Sequence, residues 1–198
     1  MDNTEEARMP RDKRARRAPG FTLVELIVAM TVFAILATLA VPAFTVYFEK
    51  ARLRGAADAV VALVAEARLA AVTQARAVSV RFSGQGAQWC VGAREASLPS
   101  VGMPMTGLDA CDCLAGGDTC VVDARRAVVA SALHRGVLLP SPMEAFAFDG
   151  ATGMRAGDAD AVRLVSRSGR FALRIAISPL GHASVCSNSG TIAGIRSC

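Results

Sequence analysis

The sequence predicts an α+β fold in which a long N-terminal helix packs on a globular head made of antiparallel β-sheet. Three patterns predict it. Residues Phe21 to Val41 form a run of 21 residues that is apolar apart from threonines and one glutamate. Apolar residues then recur every three or four positions to about Ala75, as on an amphipathic helix. Later runs alternate apolar and polar residues with a period of two, as in strands of a sheet with one buried face.

The apolar run has the length and composition of a membrane span. At about 1.5 Å per residue it crosses a hydrocarbon core of roughly 30 Å. From residue 8 onward only Asp12 opposes the basic residues before it, which are Arg8, Arg11, Lys13, Arg14, Arg16 and Arg17. The positive-inside rule therefore leaves the N-terminus in the cytoplasm and puts the head across the membrane. The alternative for the apolar run is a buried core helix, and the alternatives for the basic run are a nucleic-acid-binding arm and a solvated tail.

A specific motif joins the basic leader to the apolar run. Pro19-Gly20 is followed by Phe21-Thr22-Leu23-Val24-Glu25 and a long apolar helix. This pattern resembles the class III leader of type IV pilins and type II secretion pseudopilins. The resemblance implies that a prepilin peptidase cuts between Gly20 and Phe21 and that the new Phe21 amine is methylated. Glycine suits such a site because it has no side chain to obstruct the protease.

Glu25 is the only charged residue in the apolar run. A carboxylate in this setting is costly, so it should find a cation or become neutral. The resemblance implies that Glu25 serves assembly by meeting the N-terminal amine of a neighbouring subunit. The alternative is that Glu25 reaches the lipid headgroups from near the helix end.

Pro42 follows the apolar core, and a proline inside a helix removes a backbone hydrogen bond and bends the axis. In the pilin family this position marks a kink or a melted stretch of the helix. We therefore expect four segments: a cleaved leader (1–20), a transmembrane helix (21–44), its amphipathic continuation (45–77) and a β-rich head (78–198). The face expected to be buried comprises Leu53, Ala56, Val60, Leu63, Val64, Ala67 and Ala71.

The head contains several strand and turn signals. Val78 to Phe82 alternate, and Val162 to Val165 should form a hairpin with Phe171 to Ile177 through the turn 166–169. Ser178-Pro179-Leu180-Gly181 has the composition of a type I turn and should lead to a last strand near Ala183 to Cys186. Residues 93–120 are rich in Gly, Pro, Ser and Asp and are expected to be a loop.

The order of features in the head resembles the GspH/FimT group of minor pilins and pseudopilins. The residues that carry the resemblance are Trp89, Gly92, Gly136 to Leu139, Phe146, Phe148, Gly150, Ser168 to Arg170, Ser178 to Gly181 and the paired C-terminal cysteines. It implies a single-pass inner-membrane protein whose head lies in the periplasm and later at the tip of a pilus or pseudopilus. The partners that it implies are prepilin peptidase and, through the N-terminal helix, other minor and major pilins or pseudopilins.

Six cysteines in an exported head favour disulfides. The resemblance implies a bridge between Cys186 and Cys198. A bridge between Cys111 and Cys113, which are separated by one residue, would be badly strained. Two pairings then stay open: Cys90–Cys111 with Cys113–Cys120, or Cys90–Cys113 with Cys111–Cys120. The alternative is a zinc site made of Cys111, Cys113, Cys120 and His134, although zinc ligand pairs are more often two to four residues apart.

The sequence contains no recognisable catalytic motif. There is no Walker glycine loop, GxSxG or HExxH pattern, and the two histidines, His134 and His182, belong to no nucleophile motif. We therefore expect no enzyme activity, no cofactor and no bound metal.

Binding of DNA is a separate hypothesis. Some FimT-type proteins bind DNA through arginines near their C-terminal strands, and the candidates here are Arg163, Arg167, Arg170, Arg174 and Arg196. Arg167 and Arg170 flank a hairpin turn and could reach phosphates together. However, the last turn reads Gly181-His182-Ala183-Ser184. DNA-binding relatives favour a Gly-Arg-hydrophobic-Arg pattern there, and this chain lacks both arginines. Loss of the leader also lowers the formal net charge from +5 to +3, because six basic and four acidic residues leave with it. We therefore expect weak DNA binding at most.

These features predict a minor pilin of the GspH/FimT type that helps to initiate or cap type IV pilus assembly. A minor pseudopilin of a type II secretion system and a DNA-binding minor pilin for natural transformation are the alternatives.

Overall fold

The structure is a computed structural model that describes residues 20–96, 110–115, 119–158, 160–188 and 192–198. The basic leader and most of the predicted loop 93–120 lie outside these residues. One helix, α1, runs from Leu23 to Gln74 and contains Pro42. The chain divides after Pro42 into two compact units. The α+β prediction is confirmed, because this long helix is followed by antiparallel sheets.

The second part of α1 buries one face, as its periodicity predicts. All seven residues expected on that face are at most 5% exposed, and Ala57 joins them. They pack in one apolar cluster with residues from both large sheets of the head, including Phe82, Phe146 and Ile175. Burial of apolar surface of this kind is the main force that holds a helix on a sheet.

The end of α1 is closed by backbone hydrogen bonds. Ala75 has a left-handed backbone with φ of 51°. Its N–H donates to Val72 O, and Arg76 N–H donates to Ala71 O. This is the Schellman arrangement, in which the left-handed position is usually glycine. Gly150 covers this helix end so closely that a Cβ built on it would lie 2.5 Å from Arg76 N.

Eleven strands are described after the helix. In chain order they are β1 (Val78–Gln85), β2 (Gln88–Glu95), β3 (Val121–Val122), β4 (Arg125–Arg126), β5 (Val128–Ala130), β6 (Val137–Leu138), β7 (Phe146–Phe148), β8 (Arg155–Ala156), β9 (Ala161–Ser166), β10 (Ala172–Ile177) and β11 (Ala183–Ser187). A short 3₁₀ helix, Ser131–Leu133, lies between β5 and β6.

The strands form three antiparallel sheets. The first has the order β5-β2-β1-β7-β8, the second has the order β11-β10-β9-β6, and β3 pairs with β4. The expectation of a loop from residue 93 is wrong for Ala93 to Glu95, which complete β2 and pair with β1. Gly92 and Ala93 interrupt the sequence alternation there, but all of Trp89 to Ala93 is buried because the strand is covered on both faces.

The predicted β9–β10 hairpin is present. Leu173 pairs with Leu164 and Ile175 with Val162, so apolar residues face one another on the buried side. The turn has Gly169 at φ of 74°, and Gly169 N–H donates to Ser166 O. After β10, Gly181 N–H donates to Ser178 O, as a tight turn requires, and β11 follows at Ala183. The C-terminal residues 192–198 return to Ser187, which both donates to Arg196 O and accepts from Cys198 N–H.

Candidate functional site

The start of α1 contains a capping interaction that involves Glu25. Glu25 N–H donates to Thr22 Oγ1 at 3.2 Å, and Leu26 N–H donates to Thr22 O. Thr22 is therefore the N-cap of the helix, and Glu25 stands at the third helical position, the spacing of a capping box. The role of Thr22 was not among the predictions from the sequence, although the T-x-x-E spacing of Thr22 and Glu25 is a signal for it. Gly20 and Phe21, at the expected cleavage site, are both exposed.

The first part of α1 is an uncovered apolar surface. It is the one helix among the described residues that is long and apolar enough to cross a membrane, and the most apolar stretch has none of its residues buried. Its exposed large side chains include Leu23, Leu26, Ile27, Phe33 and Ile35. Soluble proteins rarely expose an apolar patch of this size. The surface therefore fits a membrane anchor.

A polar cluster holds the β9–β10 hairpin against the second part of α1. Glu49 accepts hydrogen bonds from Ser168 N–H at 3.2 Å and from Ser168 Oγ at 3.0 Å. Arg170 Nη2 lies 3.4 Å from Glu49 Oε2. The ammonium group of Lys50 lies 4.8 Å from the centre of the Phe171 ring, a cation–π contact. This cluster joins residues about 120 positions apart in the chain, so no local pattern could predict it.

Two of the arginines predicted to contact DNA already form ion pairs within the chain. The guanidinium of Arg170 is paired with Glu49, whereas Arg167 on the same turn is exposed. Arg163 and Arg174 lie directly opposite each other on β9 and β10, and Arg174 Nη2 is 3.6 Å from Asp160 Oδ2. The two hairpin arginines thus do not form a free pair, and DNA binding through them stays a prediction.

The six cysteines form three bridges, which are Cys90–Cys113, Cys111–Cys120 and Cys186–Cys198. The first two are one of the two pairings that the sequence left open, and the third is the pairing that the family resemblance implied. The bridges use all three sulfurs that the zinc hypothesis required. Among the described residues, no group of three His, Cys, Asp or Glu side chains could hold a metal ion.

The carboxylate of Asp112, which lies between two bridged cysteines, accepts local hydrogen bonds. Its Oδ1 accepts from Leu114 N–H at 3.0 Å. This hydrogen bond to the charged form is the main reason why the pKa of Asp112 lies below its ordinary value. The carboxylate therefore stabilises the turn between the bridges.

His134 lies beside the buried Trp89 and not in a reactive cluster. The two rings are stacked with centres 6.3 Å apart. Partial burial lowers the pKa of His134, because it disfavours the charged imidazolium. Trp89 Nε1–H donates to Val137 O at 2.9 Å, and Trp89 N–H donates to Ser131 Oγ at 3.2 Å. Trp89 thus holds the whole turn from Ser131 to Val137 in place.

Comparison with protein families agrees with this architecture. Residues 15–41 match the prokaryotic N-terminal methylation motif. Residues 56–181, well over half of the chain, match the family described as type II transport protein GspH. The chain belongs to the GspH family. No curated protein and no solved structure gave a significant match.

Membership in the GspH family accounts for the two parts of the chain. The methylation motif covers the leader junction and the uncovered apolar surface, and the GspH match begins on the amphipathic part of α1. The chain is therefore a pilin or pseudopilin of the GspH/FimT type. This family is structural and not enzymatic.

Proposed function

We propose that the mature chain is a minor pilin that helps to initiate or cap a type IV pilus. The observation that carries this proposal is the combination, in one chain, of a methylation motif on an uncovered apolar helix with a GspH head. An apolar surface that the chain itself leaves uncovered needs lipid before assembly and other subunits afterwards. The N-terminus then lies in the cytoplasm before cleavage, and the head lies in the periplasm.

Glu25 is the residue proposed to select the partner helix. Cleavage after Gly20 would create an amine at Phe21, about one helical turn before Glu25. The hydrogen bond from Glu25 N–H to Thr22 Oγ1 uses the backbone of Glu25 and leaves its carboxylate for another cation. An amine of a neighbouring subunit would satisfy that carboxylate in the membrane, where an unpaired charge is costly. The charge therefore favours assembly without being needed for folding of the head.

The experiment begins with the mature N-terminus. Mass spectrometry of membrane-extracted protein should find a chain that starts at methylated Phe21. A chain that starts near Ala43, or that keeps its leader where the peptidase is active, would contradict the proposal.

The second step compares two variants in a deletion strain. Glu25→Gln keeps the shape of the side chain but removes its charge, and it should impair piliation while the head stays folded. Thr22→Val removes only the helix cap and should leave piliation largely intact. Full piliation with Glu25→Gln would refute the assembly role of the charge.

A minor pseudopilin of a type II secretion system is the second candidate. The description of the matched family, type II transport protein GspH, favours it. Deletion of the gene separates the two machines, because loss of a pilin reduces piliation and loss of a pseudopilin reduces protein secretion. A strain that keeps its pili and loses secretion would assign the chain to the secretion system.

A further inference from the structure

We propose that Arg52, Arg135 and Arg167 form a basic collar that binds the anionic phospholipid headgroups of the membrane in which the chain is anchored. The inference rests on the proposed membrane anchoring and adds a binding surface on the head. The collar would fix the height and orientation of the head at the membrane surface before the subunit is assembled.

The three arginines come from three different segments of the chain that lie next to one glycine. A Cβ built on Gly136 would lie 3.9 Å from Nη1 of Arg52 and 3.9 Å from Cβ of Arg167. Arg135 precedes this glycine directly. All three arginines are exposed, and among the described residues none of them has an ion-pair partner. Exposed positive charges on neighbouring segments, without a counter-ion among the described residues, favour an anionic ligand.

The turn that carries Arg135 is held rigidly and also presents an apolar side chain. Trp89 fixes the turn at both ends through its hydrogen bonds to Ser131 Oγ and Val137 O. Leu133, at the end of the 3₁₀ helix, is 82% exposed. An exposed leucine next to exposed arginines is the composition of a surface that enters the boundary between headgroups and acyl chains.

The turn that carries Arg167 is fixed to α1 close to Arg52. Ser168, the next residue, donates two hydrogen bonds to Glu49, and Arg170 pairs with the same carboxylate. Glu49 precedes Arg52 by three residues, which is about one helical turn. The hairpin therefore cannot move away from Arg52 without breaking these contacts, and the collar is preorganised.

The position of the collar along the chain favours a membrane as its ligand. In the sequence, three exposed aromatic residues lie between the apolar run and Arg52, namely Phe44, Tyr47 and Phe48. Aromatic side chains are enriched at the level of the headgroups, and basic residues just beyond a span attract anionic lipids. A surface for DNA has no need of these apolar neighbours. The chemistry of the site therefore favours lipid phosphate over nucleic-acid phosphate.

Hydrogen exchange of the full mature chain in nanodiscs tests the collar. One nanodisc contains phosphatidylcholine alone, and the other contains phosphatidylcholine with one-third phosphatidylglycerol. Amides in 131–138 and 166–171 should exchange at least a fewfold more slowly in the anionic nanodisc, and added salt should reduce the difference. Equal exchange in the two nanodiscs would overturn the proposal.

Two triple variants separate the collar from general charge. Arg52→Gln, Arg135→Gln and Arg167→Gln together should abolish the difference between the nanodiscs. The control changes Arg81→Gln, Arg125→Gln and Arg163→Gln, which are exposed arginines elsewhere on the head and remove the same charge. The control should keep the difference, and its loss there would overturn the assignment to these residues.

Two further measurements distinguish the other outcomes. If short duplex DNA slows exchange of the same amides in the neutral nanodisc and phosphatidylglycerol does not, the collar binds nucleic acid and the proposal is wrong. Extraction with alkaline carbonate tests the anchor separately. A chain removed from vesicles in this way would overturn both proposals, whereas an inserted chain without lipid dependence would overturn only the collar.

Discussion

Gly92 lies directly beneath the sulfur of Cys120. A Cβ built on Gly92 would lie 2.5 Å from Cys120 Sγ and 2.7 Å from Cys111 Sγ. Both cysteines are 2% exposed, so their bridge is buried against β2. Glycine is required here because a side chain would occupy the space of the bridge, and not because of a left-handed backbone.

Replacement of Gly92 should therefore destabilise the head. In Gly92→Ala the sulfurs cannot move aside easily, because each is fixed to two backbone positions. We expect the free energy of unfolding to fall by about 1–3 kcal/mol, or the Cys111–Cys120 bridge to stay open. Urea unfolding in detergent and titration of free thiols measure the two effects.

Gly55 provides the matched control for that experiment. It lies in α1, and a Cβ built on it meets nothing within 4 Å. Gly55→Ala should raise stability by roughly 0.8–1 kcal/mol, because alanine has the higher helix propensity. Equal stabilisation by both substitutions would show that the contact at Gly92 is not tight.

Features with a local signal could be predicted from the sequence. The buried face of α1 follows a helical period, and Leu173, Ile175 and Ile177 follow a strand period. The sequence period therefore predicts which face of each element is apolar. The leader motif is contiguous and could be recognised without any knowledge of the fold. The hairpin turn at Gly169 follows from a glycine between two alternating runs.

Features that depend on distant residues could not be predicted. The Cys111–Cys120 bridge packs against Gly92, a contact between residues that are distant in the sequence and that no local pattern signals. The contact of Glu49 with Ser168 requires the hairpin to be already packed on the helix. Strands such as β3, β4 and β8 have only two residues each, which is too short for any periodicity.

Glu49 should contribute measurably to stability through the hairpin. Glu49→Ala removes the acceptor of two hydrogen bonds from Ser168 and the partner of Arg170. Because the Glu49 side chain is only 23% exposed, we expect a loss of about 1–2 kcal/mol in the free energy of unfolding. Hydrogen exchange at residues 166–171 should become faster.

Glu66→Ala is the control for the effect of removing a carboxylate from α1. Glu66 is exposed and makes no ion pair with the described residues. Its loss should change stability by less than about 0.5 kcal/mol. If the two variants were equally stable, the hairpin contact would have no net energetic value.

His134 should make the stability of the head depend on pH. Its pKa in the folded state is lowered by burial, so the unfolded chain binds a proton more readily. The stabilising effect of the neutral ring is therefore present above the unfolded pKa and is lost as pH falls through the folded pKa. Between about pH 7.5 and pH 5.5 the urea midpoint of the native chain should decrease.

Two variants assign that pH dependence to His134. His134→Phe keeps a ring beside Trp89 but does not titrate, so it should flatten the curve in this range. His182→Gln removes the other histidine, which is exposed, and should retain the His134 contribution. A curve that keeps its slope in His134→Phe would place the titrating group elsewhere.

Two of the disulfides should show that burial of a bridge contributes more to the free energy of unfolding than the length of the loop it closes. Cys186–Cys198 closes a separation of 12 residues and Cys111–Cys120 one of 9. In the chain-entropy model each contributes roughly 3 kcal/mol, with the longer loop slightly ahead. However, Cys111 and Cys120 are both buried, whereas Cys198 is exposed. Replacement of the buried pair by alanine also leaves a cavity and loses packing on Gly92.

We therefore expect the shorter but buried Cys111–Cys120 bridge to contribute more to stability than the longer Cys186–Cys198 bridge. The double variant Cys111→Ala/Cys120→Ala should lose more free energy of unfolding than Cys186→Ala/Cys198→Ala. In the second variant the tail keeps its hydrogen bonds to Ser187 and its buried Ile192, so the loss should be confined to faster exchange in residues 192–198 and a moderate shift of the urea midpoint. A larger loss from the C-terminal bridge would mean that chain entropy alone decides the contribution of these disulfides.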